Sequence, residues 1–126
     1  MPAFEKLADV GGKPFAGPLL VIQGPKDVFI PEEVTSKAVT TTCELHPGSD
    51  LEYMVVQELG HTPIISAARF LWMNWLEERF GGKPINGCKR TSVTGWLGEG
   101  NHFAGSNSFA QWSGAPQYMY QNPGAV

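Results

Sequence analysis

The sequence predicts an α/β domain with parallel strands, followed by an irregular tail. Two segments are strand candidates, the first of them aliphatic and without polar alternation, and each leads through a loop into an apolar stripe of helical period. The order is strand, helix, strand, helix, and both crossovers are long enough to join parallel strands. The 126 residues, 42% of them apolar, suit one domain. We divide them into an opening loop (1–17), the α/β part (18–90) and a tail (91–126).

The first strand is predicted in LLVIQ, residues 19–23, and ends at Gly24-Pro25. It has no polar alternation, which predicts burial on both faces. A strand buried in this way needs neighbouring strands on both sides and helices above and below it. Two parallel strands cannot provide these neighbours, and a sheet of about two strands is marginal by itself. Either the tail adds further structure to this sheet or the chain is the end of a larger sheet, and we favour the second interpretation.

The first helix is predicted to open at Pro31, with Glu32 and Glu33 near the positive end of the helix dipole. It is predicted to stop at His46, where Pro47-Gly48 follows. Its apolar stripe consists of Val34, Ala38, Val39 and Cys43.

The second strand is predicted in LEYMVVQ, residues 51–57, with a turn over residues 58–63. A single helix is predicted after that turn, ending at a left-handed cap formed by Gly81-Gly82. Its stripe recurs at steps of three and four residues and consists of Ile64, Ala68, Leu71, Trp72, Trp75, Leu76 and Phe80.

Composition limits the possible partners of the chain. The formal charge is -3 and the basic residues are scattered, so nucleic acid is not expected to bind. No window is long and apolar enough for a membrane-spanning helix. The opening MPAFEKLADVGGKP lacks the features of a signal peptide, which predicts a cytoplasmic protein unless the true beginning is absent. Cys43 and Cys88 do not match a zinc motif and leave a disulfide or two buried thiols open. Neither a metal nor a cofactor is expected.

Asp27 and His61 are the candidate catalytic residues. Each follows a predicted strand by a few residues, so both are expected at the same edge of the sheet, where ligands bind in open α/β folds. An acid that accepts a hydrogen bond from one ring nitrogen leaves the other nitrogen to take a proton from a nucleophile. The order acid then histidine is that of α/β-hydrolases, whose serine comes first.

The nucleophile of such a site is expected in a GxSxG turn, and the sequence contains no such pattern. Ser106 and Ser108 lie in the tail without a preceding strand, and Ser66 lies on a predicted helix. None of them is placed as a nucleophile. The chain alone is therefore not expected to hydrolyse esters.

A second hypothesis gives both residues a structural role. An aspartate after a strand is often a turn former or a helix cap, and a histidine before a helix is no different. The chain would then be a small non-catalytic α/β module for binding or interaction, whose aromatic tail contacts a protein or a sugar. The distance between the two side chains separates the hypotheses.

Residues 18–88 resemble the C-terminal part of fungal α/β-hydrolases of the secretory lipase and carboxylesterase kind. The resemblance covers a little over half of the chain and fades after Arg90. It is carried by PLLVIQGPKDVFIP, LEY, GHTP, WMNWLEERFGGKP and NGC.

This resemblance implies a serine ester hydrolase that acts on esters or lipids. Asp27 matches the family's triad acid and His61 its triad histidine, while the serine and the oxyanion hole would come from polypeptide outside this chain. Cys43 and Cys88 match positions that look like a disulfide in these secreted enzymes. The resemblance also implies secretion, and the sheet would be the C-terminal portion of an α/β-hydrolase sheet.

Overall fold

The computed structural model describes residues 11–57, 59–61 and 64–94. Most of the opening loop and the tail from residue 95 onward, including Ser106 and Ser108, lie outside the described residues. The described elements are, in chain order, β1 (Leu19–Gln23), α1 (Glu32–Leu45), β2 (Leu51–Gln57), α2 (Ile64–Ala67), α3 (Arg69–Phe80) and β3 (Cys88–Thr94).

The three strands form one sheet in the order β1-β2-β3, and both pairs are parallel. Leu19 lies opposite Leu51, and Leu51 lies opposite Cys88, so the strands start level with one another. Their carboxyl ends therefore meet at one edge of the sheet. The predicted α/β class with parallel strands is confirmed.

β2 is the centre of the fold, and six of its seven residues are buried. Leu51, Tyr53 and Val55 form one apolar cluster with Val39 and Cys43 of α1. Met54 and Val56, on the other face of β2, pack in a second cluster with residues that follow the strand: Leu59, Ile64, Ala67 and Ala68. Because strand side chains alternate between faces, this buried strand lies between two helical layers.

The predicted burial of the first strand on both faces is only partly observed. Leu19 is 38% exposed, and the next three residues are half-buried. Within the described residues β1 pairs only with β2, which makes it an edge strand of the sheet. Its aliphatic sequence is that of an interior strand, but one of its sides lacks a described neighbour.

β3 is a strand that the sequence analysis did not predict. It spans CKRTSVT, in which most residues are exposed, so it has little of the apolar signal that marks β1 and β2. Residues 91–94, assigned from the sequence to the tail, belong to this strand. Pairing with β2 along its whole length, rather than burial of its side chains, defines it.

The bounds of the helices agree with the prediction except at one point. α1 begins at Glu32, with Glu32 and Glu33 in its first turn, as predicted. The single helix predicted after the second strand is instead divided at Ala68, whose ψ of 10° departs from helical geometry. α3 ends at Gly81, and Gly82 has the positive φ expected of a left-handed cap.

The stripe predicted for that helix is buried only in part. Ala68 and Trp75 are buried, whereas Leu76 is 41% exposed and Phe80 is 90% exposed. No helix of the described residues has the length and apolar character that crossing a membrane requires.

A disulfide joins Cys43 in α1 to Cys88, the first residue of β3. The two residues are 45 positions apart, with their Cα atoms 6.0 Å from each other. The disulfide implied by the resemblance is confirmed. It ties α1 to the far strand of the sheet, across the face on which Tyr53 packs.

Candidate functional site

The loop after β1 forms a tight turn that presents Asp27. The N–H of Asp27 donates to the carbonyl oxygen of Gly24 at 3.2 Å. Asp27 Oδ1 in turn accepts the N–H groups of Phe29, at 2.9 Å, and Ile30, at 3.0 Å. A short acidic side chain that accepts from the backbone two and three residues later forms an Asx turn. This geometry fixes one carboxylate oxygen and leaves Oδ2 directed elsewhere.

The loop after β2 crosses directly against this turn. The carbonyl oxygen of buried Leu59 accepts the N–H of Lys26 at 3.0 Å. A Cβ placed on Gly24 would overlap the Leu59 carbonyl group, whose carbon would lie 2.6 Å away. Only glycine permits this close approach of two backbones. The crossing brings His61, two residues after Leu59, over Asp27.

Asp27 and His61 are in hydrogen-bond contact, with Nδ1 2.8 Å from Oδ2. An ionised carboxylate only accepts hydrogen bonds, so Nδ1 is the donor and carries the proton. The Asp27 side chain is 5% exposed and that of His61 is 45% exposed. The structure thus brings together the two residues predicted to meet at this edge.

The environment of Asp27 favours its ionised form. Burial by itself raises the pKa of this carboxyl. The N–H of Ile30, the ring of His61 and the N–H of Phe29 oppose it through hydrogen bonds, and the positive charge of a protonated His61 adds to them. These interactions outweigh burial and hold the pKa of Asp27 below its ordinary value.

His61 has one side against protein and one side open. The ring of Phe29 packs edge-on against the imidazole, with centroids 5.4 Å apart and planes at 66°. No described residue forms a hydrogen bond with Nε2. In the neutral tautomer that donates from Nδ1 to Asp27, Nε2 carries no proton. Nε2 is therefore the nitrogen able to accept a proton from an incoming group.

The three residues that follow Asp27 in the chain are apolar and exposed. Val28 is 72% exposed, Phe29 52% and Ile30 44%. Exposed apolar side chains that lie together mark surfaces for interaction. Beside α1, a cavity of about 510 Å³ lined by Gly11 and five α1 residues includes neither Asp27 nor His61.

Two residues of the site were missed from the sequence. Buried Gln23 donates from Nε2 to the same Asp27 oxygen that His61 contacts, at 3.2 Å. Phe29, described above, supports the imidazole. The one signal for Gln23 is that it is the first polar residue after four apolar ones. Phe29 stands among apolar neighbours that give no hint of its role.

The described residues contain no group of three or more His, Cys, Asp or Glu side chains placed to hold a metal ion. Glu58, which follows β2, lies outside the described residues, and the side chain of Ser66 is not described either. Comparison of the chain with protein-family models, curated proteins and solved structures gave no match.

Proposed function

We propose that this chain supplies the acid and the histidine of a Ser-His-Asp triad, as the C-terminal part of a serine ester hydrolase. The observation that carries the proposal is the 2.8 Å contact between His61 Nδ1 and Asp27 Oδ2. This distance lies within the roughly 2.6–3.2 Å required of a working hydrogen bond in such a pair. It also leaves Nε2 on the exposed side of the ring.

The proposed chemistry follows from the two nitrogens of one ring. Asp27 holds the Nδ1–H tautomer and stabilises the imidazolium that forms when Nε2 takes the proton of a serine hydroxyl. The serine oxygen attacks the ester carbonyl, and the protonated ring then gives its proton to the departing alkoxide. A water molecule, activated in the same way, releases the acid from the acyl-serine.

The serine in this proposal comes from polypeptide other than residues 1–126, because the sequence has no GxSxG turn. The parallel sheet supports this view. β1 is an aliphatic strand with one side unpaired by the described residues, as expected of a strand cut from the interior of a larger sheet. The finer assignment, to an α/β-hydrolase sheet of the fungal secretory lipase kind, is part of the proposal.

Two further features support an esterase of this kind. The Cys43–Cys88 disulfide suits an oxidising compartment, which agrees with a secreted enzyme. The exposed apolar residues Val28, Phe29 and Ile30 flank the pair and suit an ester or lipid better than a charged substrate.

The structural alternative has one observation in its favour. Asp27 Oδ1 caps its own turn through Phe29 and Ile30, which is the whole function of many aspartates after strands. This role accounts for one carboxylate oxygen only. It gives no reason for the second oxygen to meet a half-exposed histidine from another loop. The non-catalytic module therefore explains less of the geometry.

The first test uses the purified chain and a fluorophosphonate probe, which labels activated serines. No labelling is expected, because the sequence contains no GxSxG pattern. A labelled serine would show that the chain carries its own nucleophile and would overturn the split arrangement.

The second test restores the missing part. The full chain is refolded together with the serine-bearing N-terminal part of a fungal secretory lipase, and hydrolysis of a p-nitrophenyl ester is measured. Hydrolysis is expected with the wild-type chain and is expected to fall by ~10⁶ with His61→Ala. His46→Ala is the matched control and should keep the activity, since His46 contacts Gly12 and not the pair. No hydrolysis beside an active intact lipase would contradict the proposal.

A further inference from the structure

Gln23 is a buried amide that joins three segments at the site. It is the last residue of β1 and is 6% exposed. Its Nε2 lies 2.9 Å from the carbonyl oxygen of Ile30, 3.2 Å from that of Gly24 and 3.2 Å from Asp27 Oδ2. Its Oε1 accepts the hydroxyl of Thr35, in the first turn of α1, at 3.0 Å.

These neighbours determine how the amide is oriented. The three groups around Nε2 are all acceptors, so an oxygen in its place would be repelled by each of them. The Thr35 hydroxyl then donates to Oε1. One side chain therefore links the end of β1, the turn that contains Asp27 and the start of α1.

The link acts on the carboxylate at two points. Gln23 donates to the Asp27 oxygen that faces His61, and it also donates to the carbonyl oxygen of Ile30, whose N–H closes the same turn. Without the amide, Oδ1 would keep its two backbone donors, but the turn would lose its connection to α1. Oδ2 would then be free to swing out of line with Nδ1, because a hydrogen bond weakens steeply as its angle departs from linearity.

We propose that Gln23 is a positioning residue for the Asp27–His61 pair, which fixes the direction of Asp27 Oδ2 and thereby the tautomer of His61. The inference rests on the proposed function for its catalytic meaning, since only the Nδ1–H tautomer leaves Nε2 free to act as a base. Its structural content, a tautomer set by a neighbouring amide, is measurable in this chain alone.

The experiment measures the nitrogen chemical shifts of the His61 ring in the ¹⁵N-labelled full chain, wild type and Gln23→Met. Spectra are recorded at rising alkaline pH, and the tautomers are compared where the ring shifts no longer change with pH. The wild type is expected to show the Nδ1–H tautomer in excess. Gln23→Met keeps the length of the side chain but removes its hydrogen bonds, and the Nε2–H fraction should rise several-fold.

The matched control is Gln57→Met. Gln57 is likewise the last residue of a strand, β2, but its Nε2 donates to Ser92 Oγ at 2.8 Å and does not touch the pair. The same chemical change should leave the His61 tautomer ratio as in the wild type. An equal shift in both variants would show a general loosening of the sheet edge and would overturn the positioning role.

A second variant keeps the proposal testable if Gln23→Met does not fold. Thr35→Val removes only the hydroxyl that anchors Gln23 Oε1. It is expected to raise the Nε2–H fraction in the same direction and by less. A folded Gln23→Met with the wild-type tautomer ratio would overturn the inference. If Gln23→Met does not fold, a folded Thr35→Val with the wild-type ratio would overturn it.

The outcomes separate this inference from the proposed function. A tautomer shift in Gln23→Met, together with no hydrolysis in the refolding test, would support positioning by Gln23 and contradict the hydrolase role. Hydrolysis in that test with an unshifted tautomer would support the hydrolase role and contradict positioning by Gln23.

Discussion

The carboxylate of Asp27 has a complete set of donors. Phe29 and Ile30 donate to Oδ1 through their backbone N–H groups. His61 and Gln23 donate to Oδ2 through their side chains. Four donors on a buried carboxylate satisfy both of its oxygens, which is the condition under which a buried charge is tolerated. This arrangement makes the ionised form of Asp27 part of the stability of the fold.

That contribution depends on pH in a defined direction. The pKa of Asp27 lies below the ordinary value of 3.8 in the folded chain. Its stabilisation is therefore present above about pH 4 and is lost as the pH falls through the folded pKa. Asp27→Asn should lower the free energy of unfolding by about 1–3 kcal/mol at neutral pH, because a charged acceptor becomes a neutral one.

Urea unfolding of both proteins at about pH 7 and about pH 3 measures this effect, and the difference between them should shrink at the lower pH, which lies below the ordinary pKa of 3.8 that Asp27 has in the unfolded chain. A difference that is the same at both pH values would show that Asp27 does not gain stability from being ionised.

At this scale the sequence predicted which two residues would meet but not which residues support them. Asp27 and His61 were predicted to meet because each follows a predicted strand by a few residues, and the parallel order places both at one edge. Gln23 was missed because its role depends on the carbonyl of Ile30 and the hydroxyl of Thr35. Those contacts exist only after the turn has closed, and a glutamine at a strand end has no signature of its own.

Among the elements, the two loops after β1 and β2 are the most tightly constrained. Gly24 lies against the Leu59 carbonyl, and Lys26 donates to the same carbonyl oxygen. The two contacts fix the separation of the loops, so the position of His61 relative to Asp27 depends on the absence of a side chain at residue 24.

Gly24→Ala should therefore disturb both the fold and the site. The added methyl group must move one of the loops, and overpacking of this kind costs about 1–3 kcal/mol. The matched control is Gly48→Ala, where an added Cβ would meet nothing within 4 Å. Thermal or urea unfolding of both variants gives the cost, and the ring nitrogen shifts of His61 report on the contact with Asp27. Equal stability of the two variants would contradict the crowding at Gly24.

The predicted elements differ in how strongly their sequences mark them. The bounds of β2 and α1 were predicted within two residues. β2 is marked by a largely apolar run, and the start of α1 is marked by a proline and two acids. β3 was missed because CKRTSVT shows neither an apolar run nor burial, and its pairing partner is 37 residues earlier in the chain. The break at Ala68 was missed as well, since alanine favours helix and gives no local warning.

For the whole molecule, the disulfide is the longest-range covalent constraint among the described residues. It closes a loop across 45 positions, from α1 to β3. In the chain-entropy description a loop of this size stabilises the fold by ~4 kcal/mol, and measured values are often smaller. β3 has most of its side chains exposed, so it depends on this link and on its pairing with β2.

Replacing both cysteines with alanine should lower the free energy of unfolding by about 2–4 kcal/mol, because the unfolded chain regains the freedom that the cross-link removes. Urea unfolding with and without dithiothreitol checks this. The reductant should bring the wild type to the stability of the variant and should leave the variant unchanged. A wild type equally stable in both conditions would show that the bond does not hold β3 in place.

The arrangement of the whole sheet was predictable only for its first two strands. Parallel pairing of β1 with β2 follows from the helix between them, which forces a crossover. The tail assigned to residues 91–126 was expected to be irregular; residues 91–94 form part of β3, and the rest lies outside the described residues. A strand with few apolar residues, such as β3, forms only by pairing with a sheet that is already assembled. A local stretch of sequence does not show that pairing.

The position of β1 also affects how the protein behaves in a concentrated sample. In the part of the chain that the structure describes, a row of its backbone N–H and C=O groups has no partner, and the residues that carry them are aliphatic. Strands of this type are templates for pairing between molecules. Protein concentration, and not temperature alone, should therefore decide how long a solution of this chain stays clear.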